Sequence, residues 1–276
     1  MRRLLFALLH SDGSYMLSRN FRLQRVGDLG WVLANYEIGR VSLGIDELVV
    51  LDVSPDATGR DRFRREVATL AEECFVPVTV GGHIRDLDEV GRLLAIGADK
   101  VLLNTPFHAD PELCEAVAGR YGSQALVAGI DVSRDATAVG PSRQRTAVPA
   151  ERLGAMVDRA IGHGAGEVLV QSVDRDGTGN GLDLGLLEML GPIERPLIVM
   201  GGVGRADHLV EGLVHPDVDA VATANLFNFV GDSLVAARQR CVEQGVALAT
   251  WRSEEFDTIR GALAGHGTTA IDRETP

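Results

Sequence analysis

Acids set among glycines follow an apolar run in residues 168–183, V-L-V-Q-S-V-D-R-D-G-T-G-N-G-L-D. Asp174 and Asp176 offer carboxylates, Gly177 and Gly179 a backbone that a ligand can approach closely, and Thr178 a hydroxyl. Residues 48–59, L-V-V-L-D-V-S-P-D-A-T-G, repeat the pattern at an offset of 120, so Asp56, Thr58 and Gly59 match Asp176, Thr178 and Gly179. At the same offset Gly81 and Gly82 match Gly201 and Gly202, and Asp99, Val101 and Phe107 match Asp219, Val221 and Phe227. Asn104–Thr105 and Ala224–Asn225 follow the next apolar runs. A glycine pair and a polar pair, present twice, suit a ligand with a phosphate at each end. The plainer reading is that the glycines only permit tight turns.

These residues need a scaffold that brings strand ends together. Apolar runs of strand length stand at 4–9, 47–52, 76–80, 100–103, 125–130, 167–171, 196–200 and 219–222. Most lack polar alternation, as strands covered on both faces do. Segments of helical period lie between them at 60–73, 86–96, 110–120, 150–163, 183–191, 205–213 and 231–244. Eight strand–helix units in a duplicated chain predict an α/β fold, a (β/α)₈ TIM barrel built from two homologous half-barrels. An open doubly wound sheet is the alternative. The expected organisation is one barrel over 1–250, with halves about 1–122 and 123–250, and a C-terminal extension over 251–276. Residues 17–31, with Arg19, Arg22 and Arg25, are expected to be a lid over an anionic ligand or a solvated loop.

Composition narrows the function classes. The 276 residues are 45% hydrophobic and 24% charged, as in ordinary globular proteins, and the net charge is −12. That balance argues against general binding to nucleic acid or anionic membranes, which calls for a basic surface. Cys74, Cys114 and Cys241 form no C-x-x-C and read as reduced structural thiols of a cytoplasmic protein. The opening M-R-R-L-L-F-A-L-L-H reads as a first buried strand rather than a signal peptide. The histidines show no ligand spacing such as H-E-x-x-H, so neither metal nor cofactor is expected.

Four strings carry a resemblance: G-I-D-E-L-V-V-L-D (44–52), G-A-D-K-V-L-L-N-T (97–105), Y-G-S-Q-A-L-V-A-G-I-D (121–131) and G-A-G-E-V-L-V-Q-S-V-D-R-D-G-T (164–178). Through them the chain resembles the cyclase subunit of imidazole glycerol phosphate synthase, the HisF family, from Arg3 to about Thr250. The resemblance implies a HisH-like glutaminase partner at the amino-terminal face. Ammonia would pass through the barrel to a phosphorylated small-molecule ligand at the other end. It also implies a charged gate whose four positions are Arg3, Glu47, Lys100 and Glu167. The plainer reading of those four is a structural ion cluster.

The same resemblance exposes departures. The family's cyclase uses two aspartates as acid and base. Asp131 matches one, but Leu9 stands where the other belongs and cannot transfer a proton. Losing such a group costs roughly 10²–10⁴-fold. Leu17 replaces a lysine, His83 a third glycine and Gln171 a threonine. His10 is titratable near neutral pH, yet adjacent strand residues point opposite ways. The end of the first strand and E-C-F-V-P-V (73–78) resemble the WbuZ-type branch of amidino-sugar pathways, although Ser11, Leu17 and His83 depart from it too. That likeness implies ammonia relay to a separate amidotransferase, with cyclase chemistry lost or altered. The alternatives are an authentic cyclase subunit of histidine biosynthesis and a non-catalytic phosphate-binding scaffold.

Overall fold

The computed structural model describes residues 1–19, 22–36, 38, 42–134, 147–225 and 233–249. Eight parallel strands close into a barrel: β1 (Arg3–Ser11), β4 (Glu47–Asp52), β5 (Val78–Gly81), β6 (Lys100–Leu103), β7 (Leu126–Ser133), β9 (Glu167–Ser172), β10 (Leu197–Met200) and β11 (Ala220–Thr223), while the short β8 (Val148–Pro149) pairs with the end of β7. Closure is made by β11 on β1, with Arg3 opposite Ala220 and Phe6 opposite Thr223. That pairing excludes the open-sheet alternative.

Strand alternation sorts the chain into two cores. Leu5, Ala7, Val49, Leu102, Val127, Leu169, Ile198, Met200, Ala220 and Ala222 pack together in the lumen. Leu4, Phe6, Leu8, Val50, Val80, Val101 and Ile130 pack outward with the helices. Phe6 is fully buried there; truncation to alanine should cost about 3–5 kcal/mol.

The helices Arg60–Glu73, Leu87–Ala95, Pro111–Tyr121, Leu153–Gly162, Ala206–Leu213 and Ser233–Glu243 lie within one to three residues of the expected spans. Local sequence starts two of them. Asp86 accepts the Glu89 N–H at 2.7 Å, and Asp110, ahead of Pro111, accepts the Leu113 N–H at 3.2 Å. Residues 183–191 differ: they hold only a 3₁₀ helix, Leu184–Met189, in a stretch interrupted by Gly185, Gly191 and Pro192.

At the strand starts an aspartate device recurs. Asp46, Asp99 and Asp219 accept the N–H groups of Leu4, Val78 and Leu197 at 2.8, 2.8 and 2.9 Å. The last two lie 120 residues apart in sequence.

The segment after the first strand is not a solvated loop. It is a hairpin, β2 (Ser14–Arg19) and β3 (Arg22–Gly27), followed by the helix Leu29–Tyr36. Asp12 and Gly13, at φ 50° and 74°, make the two-residue turn that folds β2 antiparallel onto β1. Cys114 and Cys241 are buried, Cys74 is half-buried, and all three are free thiols. No helix among the described residues is long and apolar enough to cross a membrane. The expected extension over 251–276 lies outside the described residues.

Candidate functional site

Four strands bring charges together at the amino-terminal end of the lumen. Arg3 donates to Glu47 at 2.9 Å and to both oxygens of Glu167 at 3.2 and 2.8 Å. Lys100 Nζ donates to Glu47 at 2.8 Å and to Glu167 at 2.9 Å. Thr79 Oγ1 donates to the remaining oxygen of Glu47. The result is a closed ring of two cations and two anions, each bonded to both members of opposite sign. Burial alone would raise the Glu167 carboxyl, but Arg3 and Lys100 outweigh it and hold it low. Arg3 is pulled down by burial and pushed up further by Glu167 and Glu47.

Above the ring the lumen is lined by the apolar cluster already described, with Leu51 and Ala224 packed against its upper end. Asp131 shares the parity of Val127 and so belongs to the luminal face of β7; its Oδ2 accepts from Asn104 Nδ2 at 3.2 Å. Leu9 shares the parity of Leu5 and Ala7 on β1 and is buried. The rim therefore carries one carboxylate from β7 and an aliphatic side chain from β1.

His10 points the other way. It is 1% exposed, packed 5.0 Å from the Phe63 ring and edge-on to Tyr15. Its Nε2 lies 3.1 Å from the Gly13 nitrogen and 3.4 Å from Glu66 Oε2, and Nδ1 stands 3.8 Å from Asp52. Burial lowers its proton affinity, but Asp52 and Glu66 outweigh burial and raise it. His10 thus belongs to a network outside the barrel, not to the rim. In that network Asp52 accepts from Arg60 at 2.8 Å, and Arg60 bonds Glu89 at 2.7 Å.

The two glycine pairs occupy corresponding strand ends. A Cβ on Gly82 would meet the Asp52 carbonyl at 2.1 Å, and one on Gly202 the Gly181 carbonyl at 2.1 Å. Both positions require glycine for backbone packing alone, so the pairs by themselves do not argue for phosphate. A cavity lies at the second of these ends. Its volume is about 310 Å³, and its lining includes Asp176, Gly177, Thr178, Gly201, Gly202, Ala224 and Asn225. Gly81, Gly82, Asn104 and Thr105 do not line it; Asn104 is half-buried and Thr105 exposed.

The remaining wall comes from the start of the stretch 17–31, in which a lid was one of the two expectations. Leu17, Ser18 and Arg19 of β2 cover the cavity, and Ser18 Oγ donates to Asp176, fastening the hairpin to the rim. The D-G dipeptide at 12–13 was the available signal for that hairpin. Gln171 Nε2 reaches Asp176 at 3.4 Å. Among the described residues no group of three or more His, Cys, Asp or Glu could hold a metal ion.

Residues 35–231 match the family described as histidine biosynthesis protein. Over 268 residues the chain is 41% identical to a protein of Parasynechococcus marenigrum (strain WH8102) named "Putative imidazole glycerol phosphate synthase subunit hisF2"; the match covers 94% of this chain and 98% of that relative. The chain belongs to the histidine biosynthesis protein family and is of the HisF type. The family match spans β4 to β11 and hence Glu47, Lys100 and Glu167 of the charged ring. Within this HisF-type chain, Asp131 is the rim carboxylate from β7, and Leu9 is the residue that β1 presents.

Proposed function

We propose that this HisF-type chain conducts ammonia from a HisH-like glutaminase to an amidation reaction, and that the ordinary cyclisation step is lost. The observation that carries the reading is the contrast between the two ends of one lumen. At the amino-terminal end all four charges of the ring are present and mutually bonded. At the carboxyl end Asp131 has Leu9 on the strand where a second acid would be needed.

The lumen suits a neutral passenger. Ammonium would enter an apolar channel only at a high desolvation cost, whereas ammonia carries no charge. The ring bars water and ions while its pairs are closed. Displacing Lys100, the ring member on an unbranched and flexible stem, opens a path without stranding Arg3 from its carboxylates. At the upper rim, the cavity at Gly201, Gly202 and Asn225 takes a phosphorylated small molecule, and Asp131 with Asn104 is left to orient the acceptor. The acceptor's chemistry is completed there or by a separate amidotransferase above the rim. The chain then works as a subunit of a glutamine-dependent synthase complex in the cytoplasm.

A second reading, a cyclase subunit of imidazole glycerol phosphate synthase, draws on the name of the 41%-identical relative. The test is reconstitution with a HisH-like glutaminase from the same organism. Glutamine hydrolysis should rise on complex formation, and ammonia released to bulk solvent should fall when the acceptor system is present. Unchanged hydrolysis and full release would reject conduction.

A further inference from the structure

The hairpin that covers the cavity is rooted in a cluster of ionisable side chains outside the lumen. We propose that His10 is a proton-operated latch for that hairpin. As a neutral imidazole its Nε2 accepts the Gly13 N–H and holds the turn; on taking a proton the same nitrogen donates to Glu66 and releases the turn. The latch does not depend on what the cavity binds.

Three backbone groups of the turn are fastened to this cluster. The Asp12 N–H donates to Ser54 Oγ at 3.1 Å, and Ser54 Oγ donates to Asp52 Oδ1 at 2.5 Å. The Gly13 carbonyl accepts from Arg62 at 2.8 Å, and the Gly13 nitrogen stands 3.1 Å from His10 Nε2. Asp12 is a non-glycine residue at positive φ, a conformation that persists where surrounding contacts fix it. Beyond the turn, Leu17, Ser18 and Arg19 of β2 form a wall of the cavity. The fastened root and the cover therefore belong to one element.

The His10 ring meets charge from three elements. β4 presents Asp52, the helix Arg60–Glu73 presents Glu66 with Arg60 and Arg62, and β2 presents Tyr15 edge-on. Nδ1 faces Asp52 Oδ1 at 3.8 Å. A carboxylate on that side keeps a proton on Nδ1 and leaves the Nε2 lone pair for the Gly13 N–H. Nε2 also lies 3.4 Å from Glu66 Oε2. Glu66 Oε1 accepts from Arg62 at 2.8 Å, whereas Oε2 is buried without a hydrogen bond among the described residues. A lone pair facing that oxygen is repelled, and an N–H there makes a charge-assisted bond. One nitrogen cannot accept and donate at once, so a second proton exchanges Gly13 for Glu66. Tyr15 takes no part in the exchange: burial and Glu66 push its hydroxyl well above the ordinary phenol range, so it stays neutral.

Burial works against the His10 cation, but Asp52 and Glu66 outweigh it and raise the proton affinity of the ring. The exchange therefore falls above the ordinary imidazole value near pH 6.5. The whole fold gains ion pairs when His10 is protonated, and the loss is confined to the turn.

The experiment is hydrogen exchange of the full chain from roughly pH 5.5 to 9, with rates divided by their intrinsic values, alongside ¹⁵N NMR of the His10 ring. Above the His10 titration the ring should carry its proton on Nδ1, and the amides of Gly13, β2 and β3 should be protected. Below it both ring nitrogens should carry protons, and that protection should drop about five- to tenfold, the worth of one net hydrogen bond. His10→Gln should flatten the profile. Glu66→Gln keeps the ring but removes the competing charge, and should move the transition down by about one pH unit or more. A neutral ring with its proton on Nε2 would overturn the latch, as would protection that stays flat through the His10 titration or rises as pH falls. An unmoved transition in Glu66→Gln would overturn it as well, by removing Glu66 as the second partner.

Discussion

Replacing Lys100 by methionine removes one charge from the ring and keeps most of the stem's volume. In the wild type the two cations and two carboxylates cancel, and Lys100 bonds both Glu47 and Glu167 within 2.9 Å. The variant leaves Glu47, whose side chain is 2% exposed, sharing Arg3 with Glu167. Leaving a buried charge uncompensated costs about 3–5 kcal/mol. For a chain of this length, about 2–4 °C of Tm accompanies each kcal/mol, so the midpoint should fall by roughly 6–20 °C. Glu47→Gln combined with Lys100→Met restores neutrality and should recover part of that loss, a coupling that a double-mutant cycle reads directly. Differential scanning calorimetry measures the stability side. In the reconstituted complex, the single variant should let glutamine hydrolysis run without product. A midpoint within a degree of wild type, with no coupling between the two changes, would refute the closed-ring account.

Other consequences can be measured independently. Leu9→Asp should destabilise the chain, because its carboxyl would be buried among aliphatic neighbours and its proton affinity raised. The unfolded carboxyl ionises near pH 4 and the folded one higher, so the deficit against wild type should grow as pH rises over that interval. Asp52, Glu66, Glu89 and Glu167 are all held below their ordinary range: burial opposes this, and their partners, His10, Arg62, Arg60 and Arg3 among them, prevail. Their contribution is therefore complete above about pH 4.5 and lost as pH falls through the depressed folded values, giving a steep acid limb in urea midpoints. His10 has the opposite sign. Its proton affinity is raised, so its stabilisation is complete below about pH 6.5, fades as pH rises through the folded value, and should vanish from the pH profile of His10→Gln. Ser18→Ala should speed amide hydrogen exchange across Ser14–Gly27 by freeing the hairpin from Asp176.

The barrel was legible because buried parallel strands are continuous apolar runs, and all eight were found within three residues of their observed limits. The hairpin was not. Its strands are short and carry arginines, so their apolar signal is weak beside that of the barrel strands. Parity along β1 was enough to separate Leu9 from His10, and the structure keeps them on opposite faces. The glycine pairs were a weaker signal than they looked, since carbonyls of neighbouring chain segments demand glycine at 82 and 202 whatever binds there. The cover that Leu17, Ser18 and Arg19 give the cavity depends on where β2 lands, which tertiary contacts decide.

The most direct test of the central claim is ammonium-dependent turnover, by the purified chain, of the bisphosphate that the HisF cyclase uses. High ammonium removes the need for a glutaminase, so the assay isolates the rim. The account predicts no turnover by a chain shown to be folded, because Leu9 leaves Asp131 without a second proton-transfer group. Turnover at a rate typical of enzymes would contradict it and would make this chain a cyclase that has replaced the missing acid.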